Sequence, residues 1–414
     1  MIPDPVIFLR QLFDRAVEVA DPMRSLAVFL PERPKGRLIV IGAGKASARM
    51  AEAVEAAWGP CEGLVITRYG YARPCRGIEI VEAAHPVPDQ AGVDATARML
   101  ALLCGLSEAD TVLALISGGA SALLCAPAAG MTLAEKQEVN AALLASGAPI
   151  SAMNTVRKHL SRVKGGQLAA ASYPARLHTL MISDVPGDDP AFIGSGPTVG
   201  DATTPDDVRD ILARWNIPVP ATALAALNSS GVIATGDPRL SRTENVIYAA
   251  PAQSLAAAAA LAEPFAEVRF LGDSLEGEAR DIGRDQATMA SKIAATLEPG
   301  DKPVVLLSGG ELTVTRTGDG IGGPNAEFCL ALALALNGRP QIHAIACDTD
   351  GVDGAAEVAG AIISPDTLKT PGATEALGRN DAHSFFARAG SQVITGPTLT
   401  NVNDFRAVLI LPPS

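Results

Sequence analysis

The chain reads as an α/β protein: a parallel-sheet N-terminal domain followed by a second, smaller α/β domain. Three observations predict this. Apolar runs of strand length alternate with helical periodicity from Arg37 to Ser183, a second such series starts near Asn245, and the turn-rich segment "LNSSGVIATGDPRLSRT" separates them. The boundary expected there gives domains 1–235 and 236–414, and two lobes lead one to expect a cleft for a small substrate. With 414 residues, 48 % of them apolar and 19 % charged, the chain can fill two cores.

The elements follow in order. "MIPDPVIFLRQLFDRAVEVA" threads Asp4, Arg10, Asp14 and Arg15 through its apolar residues, which predicts an amphipathic helix and no signal peptide. "LIVI", "GLVIT", "IEIVEA", "TVLALIS" and "LHTLMIS" are expected strands, with helices after Lys45, Asp89 and Thr132. Thr132 with Glu135 makes a capping box, and Thr204 followed by Pro205 marks another helix start. The second series supplies "NVIYAA", "EVRFLG", "PVVLLS", "IHAIACD" and "AVLILPP" as strands.

A net charge of −12 without basic runs argues against nucleic acid as a partner, so any anionic substrate must be held by local positive potential. No uncharged apolar run reaches membrane-spanning length, and no membrane partner is expected. Cys61, Cys75, Cys104, Cys125, Cys329 and Cys347 form no CxxC pair and read as reduced thiols of a cytoplasmic protein.

Four glycine turns carry the chemistry. "RLIVIGAGKASARMAEAV" runs a strand through Gly42 and Gly44 into a helix, a turn suited to an anion. The dinucleotide pattern G-x-G-x-x-G is incomplete because Ser47 stands at the third glycine, and Arg68 rather than an acid ends the next strand. Lys45 favours a phosphate or carboxylate at this turn, the plain alternative being a solvated side chain. "LALISGGASALL" (Ser117, Gly118, Gly119, Ser121) and "VVLLSGGELTV" (Ser308, Gly309, Gly310, Glu311) can each aim successive N–H groups at an anion, or be tight turns only. "TGDGIGGPNAEFCLALALAL" places Gly322 and Gly323 before a helix opened by Pro324 and Asn325, another expected anion-receiving start.

Carboxylates gather after two strands, as Asp184, Asp188 and Asp189 and as Asp348, Asp350 and Asp353. The latter spacing fits Mg²⁺ shared with substrate phosphates better than a calcium loop. "ISAMNTVRKHLSRVKGGQLA" adds Arg157, Lys158, Arg162 and Lys164, a set that could face a phosphate or simply solvent. The five histidines show no metal or nucleophile pairing, so glycines, lysine and aspartates point to phosphoryl transfer.

Together, "GAGKAS", "HPVPDQAG", "SGGASALL", "MNTVRKHLSRVKGGQLA", "SDVPGDDPAFIGSGPT", "LSGGELTV", "GGPNAEF", "CDTDGVDGAAEVAG" and "GPTLTNVNDF" closely resemble the glycerate 2-kinase (MOFRL-type) family, also labelled hydroxypyruvate reductase, from about Phe8 to Ile410. The resemblance implies a Rossmann-like first domain, the active site between the domains, ATP and Mg²⁺, and phosphorylation of D-glycerate at its 2-hydroxyl to give 2-phosphoglycerate. The expected roles are Lys45, Asp184 and Asp189 in catalysis and Ser117, Gly118, Gly119, Ser121, Lys158 and Lys164 on the substrate. Gly42, Gly44, Ser308, Gly309, Gly310, Glu311, Gly322, Gly323, Asn325 and Asn401 are expected on the nucleotide, and Asp348, Asp350 and Asp353 on the metal. Where the family's last glycine loop often carries a basic residue, this chain has Ile321 and Pro324, and the cation would come from Arg316, Lys158 or Lys164. Glycerate and ATP are the expected ligands, with a homodimer left open. An NADPH-dependent hydroxypyruvate reductase is the alternative enzyme, and a non-catalytic sugar-acid binder the alternative outside enzymes.

Overall fold

The computed structural model describes residues 2–354 and 356–413. The chain divides into two compact units, one running from Pro22 to Tyr248 and the other combining the residues up to Asp21 with those from Ala249 onward. The expected break at 235/236 thus falls inside the first unit, because "NVIYAA" forms a strand of the first sheet.

In the first unit, β1 (Leu38–Ala43), β2 (Glu62–Arg68), β3 (Ile78–Ala83), β4 (Thr111–Ile116), β5 (Arg176–Ile182) and β6 (Thr243–Ala249) stand in the order β3-β2-β1-β4-β5-β6. The pairs β1–β2, β2–β3, β1–β4 and β4–β5 are parallel. A parallel strand covered on both faces needs an unbroken apolar run, and β4 is buried at every residue. The helices Ser47–Trp58, Gln90–Leu102 and Leu133–Ala145 follow the turns where their start signals predict them; the expected Thr132–Glu135 capping box forms, and Thr204 caps helix Pro205–Arg214, where Asp207 completes a second box.

The second unit holds a mixed sheet. β7 (Glu267–Gly272) pairs in parallel with β9 (Val304–Gly309), and the short strands β8 (Gly277–Glu278) and β10 (Leu312–Thr313) pair apart from it. β11 (Ile342–Asp348), β12 (Gly360–Ile363), β13 (Gln392–Val393) and β14 (Asp404–Ile410) complete the order β13-β12-β11-β14-β9-β7. β14 runs antiparallel to both β11 and β9, so the ends of β9 and β11 and the start of β14 share one edge. Helix Pro324–Leu336 is apolar at every position after Glu327 because it is buried along most of its length. Helix Ala279–Ala294 reaches it through Gly283, where a Cβ would come within 2.6 Å of the Phe328 carbonyl oxygen. The N-terminal helix Pro5–Ala20 buries Phe8, Leu9, Leu12, Phe13 and Ala16 in this unit's core, against Leu255, Ala258 and Ala262 and against Phe405 and Leu409 of β14.

All six cysteines are free thiols. No helix among the described residues is long and apolar enough to cross a membrane.

Candidate active site

In the first unit the chain winds from β1 toward β2 and β3 and then crosses to β4, β5 and β6, so the order reverses between β1 and β4. A crevice opens at the carboxyl ends of such neighbours, where open α/β sheets place their ligands. The two turns leaving these strands, at Gly44–Lys45 and Ser117–Ser121, are stitched to each other. Lys45 N donates to Gly118 O at 2.9 Å, Ser117 N to Ala43 O at 3.2 Å, and Ala46 N to Ser117 Oγ at 3.0 Å. Ser47 Oγ donates to Leu115 O at 2.9 Å.

That stitching corrects three expected roles. Gly42 lies inside β1, where a Cβ would meet Leu115 O at 2.5 Å; Gly44 N donates to Ile66 O at 3.1 Å, and its φ of +141° brings it against Ser117 Oγ. These glycines serve close packing, and the N–H groups of the Gly44–Ala46 turn are consumed within the unit rather than offered to a nucleotide. Ser117 is fully buried and its hydroxyl accepts from Ala46 N, so it clamps the turns and does not face a substrate. The N–H groups of Gly118 and Gly119 have no acceptor among the described residues. Lys45 and His85 flank them: a Cβ on Gly119 would lie 3.3 Å from Lys45 Cγ and 3.1 Å from His85 Nε2.

A cavity of about 530 Å³ opens beside Gly119 and Ser121, lined also by His85, Lys136, Arg157 and Lys164. Ser121 is held by Ser195, with 2.9 Å between hydroxyls, and its carbonyl accepts from Lys164 Nζ at 2.7 Å. Burial beside Lys136 and Arg157 pulls the Lys164 ammonium down to about 7. Lys158 is not in this cavity. It sits on the other side of helix Ile150–His159, ion-paired with Asp201 and over the Phe192 ring, at a second cavity of about 700 Å³. Adjacent helix positions are about 100° apart, so Arg157 faces Lys164 where Lys158 was expected.

Of the two expected bases, Asp184 is half-buried just after β5, the strand beside β4. Asp189 is exposed and its carboxylate accepts from Ala191 N at 2.8 Å within its own loop.

In the second unit the shared sheet edge gathers Ser308–Gly310 at the end of β9, Asp348 at the end of β11 with Asp350 just beyond it, and Asn401 before β14. Buried Arg406 donates to Gly309 O at 3.0 Å, to Gly310 O at 2.5 Å and to Asp404 Oδ2 at 2.7 Å, which fixes the glycine turn. Burial pushes the Asp404 carboxyl up against the pull of that guanidinium. Ser308 Oγ accepts from Gln286 Nε2 at 3.3 Å, Asn401 Oδ1 accepts from Asn403 N at 3.3 Å, and Glu311 is exposed.

Here too the structure corrects the expectation. The helix start at Pro324 already holds an anion, the carboxylate of Asp353, which accepts from Asn325 N at 3.0 Å and from Ala326 N at 2.8 Å and lies 3.0 Å from His383 Nε2. Both oxygens of Asp353 are thereby engaged at the helix start. Gly322 and Gly323 have no side chain because Asn380 and Asp353 pass there; a Cβ on Gly323 would lie 2.3 Å from Asp353 Cγ. Asn325 is fully buried and bridges Asp353 to Asp404, at 2.7 Å from the latter, so it ties the loops and does not contact a nucleotide. Arg316 donates to Gly318 O and Gly320 O within its own loop, both at 3.2 Å.

Asp348 and Asp350 carry carboxylates two residues apart, the donor type Mg²⁺ takes alongside phosphate oxygens and water; Asp348 Oδ1 accepts from Asp350 N and Asp350 Oδ1 from Val352 N, both at 2.8 Å, and Asp350 is buried. No group of three His, Cys, Asp or Glu residues placed for a metal occurs among the described residues.

Sequence reasoning missed His85 and Lys136. The signals were "HPVPDQAG" and the single lysine of an otherwise acidic "TLAEKQEV" helix start.

Residues 8–228 match a domain of unknown function (DUF4147), and residues 304–404 match the MOFRL family. The chain is 37 % identical over 410 residues to the D-glycerate 2-kinase of Thermotoga maritima, covering 97 % of each chain. It is 51 % identical to an Agrobacterium vitis protein named "Putative hydroxypyruvate reductase", covering 97 % of this chain and 94 % of that one. The crystal structure of the Thermotoga maritima glycerate kinase superposes with a TM-score of 0.88 at 36 % identity, over 98 % of this chain and 99 % of that chain. A six-stranded doubly wound sheet, a mixed second sheet and relatives aligned along nearly the whole length agree, and the chain belongs to the MOFRL-type glycerate kinase family.

Proposed function

We propose that this chain transfers a phosphoryl group from ATP to the 2-hydroxyl of D-glycerate, giving 2-phosphoglycerate and ADP. The observation that carries the reading is the switch-point crevice, where Lys45 stands beside the Gly118 and Gly119 N–H groups at a cavity with basic walls. Phosphoryl transfer asks a protein chiefly for positioning and charge stabilisation, and this crevice supplies both without a nucleophile. Lys45 neutralises charge on the transferring group. Gly118, Gly119, Ser121 and Lys164 receive the acceptor's carboxylate, and Asp184 takes the proton of its 2-hydroxyl, a role Asp189 is less suited to while its carboxylate is turned to Ala191. In the second unit, the turn Ser308–Glu311 and Asn401 are the residues offered to the nucleotide, with Asp348 and Asp350 on its Mg²⁺. Bound there, Mg²⁺ would neutralise charge on the triphosphate.

A nicotinamide dinucleotide would need N–H groups of the Gly42–Ala46 turn for its pyrophosphate, and those of Gly44, Lys45 and Ala46 are spent on Ile66, Gly118 and Ser117. The deciding experiment incubates the protein with D-glycerate, Mg²⁺ and ATP, and separately with hydroxypyruvate and NADPH. Formation of ADP with 2-phosphoglycerate, identified by phosphorus NMR against authentic standards, is the expected result. NADPH oxidation without ADP would establish the reductase instead, binding without turnover would leave a sugar-acid binder, and 3-phosphoglycerate would mean that carboxylate and base are placed in reverse.

A further inference from the structure

The walls of the first unit's cavity bring three cations from three places in the chain: Lys136 from helix Leu133–Ala145, Arg157 from helix Ile150–His159, and Lys164 from the turn beyond it. Lys136 and Lys164 are only 4 % and 1 % exposed. Their ammonium groups meet main-chain carbonyls, Lys136 that of Leu160 at 3.2 Å and Lys164 those of Ser121 at 2.7 Å and Leu124 at 3.3 Å. Arg157 meets the amide oxygen of Asn154 at 3.3 Å. Among the described residues no carboxylate pairs with any of the three, and the residues lining the cavity include no Asp or Glu. That is the reverse of the chain as a whole, which carries 45 acidic against 33 basic side chains.

Burying an ammonium costs several kcal/mol unless an anion offsets it, and grouping three cations adds their mutual repulsion. The lowering of the Lys164 pKa by burial, with Lys136 and Arg157 adding to it, is the same imbalance seen from one side chain. A built cavity with this deficit is complementary to an incoming anion.

We infer that Lys136, Arg157 and Lys164 form a single clamp for the carboxylate of the acceptor acid. A carboxylate matches the planar fork of Arg157 and arrives bare, whereas a triphosphate arrives as its Mg²⁺ complex with part of its charge already met. The cavity also adjoins Gly119 and Ser121. The clamp thus lies beside the turn that Lys45 flanks. The inference rests on the glycerate kinase reading and extends it by naming Lys136 and Arg157 as determinants of acceptor binding.

The test measures KM for D-glycerate and for ATP in Arg157→Met, Lys136→Met and the conservative Arg157→Lys. Among the described residues Arg157 donates to the Asn154 amide oxygen and pairs with no carboxylate, so its variants should retain the wild-type unfolding transition. The expected result is a rise in glycerate KM of roughly tenfold or more for each Met variant, the order of one lost charge-assisted hydrogen bond, with partial recovery in Arg157→Lys and ATP KM within about twofold of wild type. An unchanged glycerate KM in both Met variants, or a rise confined to ATP, would overturn the clamp while leaving the kinase reading intact. Should the wild type show no turnover, calorimetric titration with D-glycerate alone separates the two ideas. Binding that Arg157→Met abolishes keeps the clamp and discards the kinase, and no binding to wild type discards both.

Discussion

Lys45 leaves its strand half-buried, with its stem against Gly119 of the neighbouring turn, where a Cβ would lie 3.3 Å from Lys45 Cγ. A cation so placed acts most strongly when charge develops on the transferring group, so Lys45→Ala should lower kcat by roughly 10²-fold or more and change KM less. Steady-state kinetics on a folded variant checks this, and equal kcat would mean a solvated lysine. Lys164 makes a pH prediction with two opposite signs. Its folded pKa, about 7, lies below the ordinary lysine value near 10.4, so between these values the unfolded chain holds a proton that the folded chain does not. Stability relative to Lys164→Met should therefore rise as pH increases from about 7 toward 10. Glycerate affinity should fall over the start of the same range as the ammonium discharges. The groups around Lys164 are Lys136, Arg157 and Cys125, with His85 on the cavity wall; burial pushes the Cys125 thiol up, away from its charged form. Thermal melts and glycerate titrations at stepped pH read the two trends separately.

At the scale of elements, anion-binding expectations divided according to where the N–H groups went. A strand entering a glycine turn and then a helix is visible in "LIVIGAGKAS" and in "GIGGPNAEF", but whether its first N–H groups remain available depends on what packs across them. Ser117, with Gly118 beside it, closes the first turn from 71 residues beyond Ala46, and Asp353 closes the second from 28 residues beyond Asn325. Neither partner is readable from local sequence, since each turn carries the glycines that both outcomes need. If the Asp353 carboxylate serves the helix start and no metal, its removal has a distinct signature. Asp353→Asn replaces an acceptor by an amide facing helix N–H groups and should cost about 1–3 kcal/mol in urea unfolding, while the Mg²⁺ dependence of turnover stays as in wild type. Asp350→Asn should do the opposite, raising the Mg²⁺ concentration needed for half-maximal rate. A shifted Mg²⁺ requirement in Asp353→Asn would return that residue to the metal set.

For the whole molecule, the N-terminal helix belongs to the C-terminal unit, although its sequence neighbours build the other one. Phe13 is fully buried there, with its ring 5.9 Å from that of Phe405 at the far end of the chain. Phe13→Ala should destabilise that unit by about 3–5 kcal/mol, seen as an earlier first transition in denaturant, and an unchanged profile would mean that the helix is not part of its core. The sequence by itself determined the α/β class, nearly every long strand, the amphipathic face of the first helix, the Thr132 capping box, the Thr204 helix start and the glycine turns, because periodicity, caps and turn chemistry are local properties. The motifs also sufficed for the family. Short strands such as Gly360–Ile363 escaped because four residues are too few to show a period. Only the tertiary structure decided that β14 runs antiparallel between β9 and β11, that Arg157 and not Lys158 joins Lys164, that Lys136 completes their cluster, and that Asp353 fills a helix start which looked ready for phosphate. Each depends on which side chain meets a backbone group far away along the chain. Such a meeting is fixed by packing across the whole unit rather than by the residues on either side.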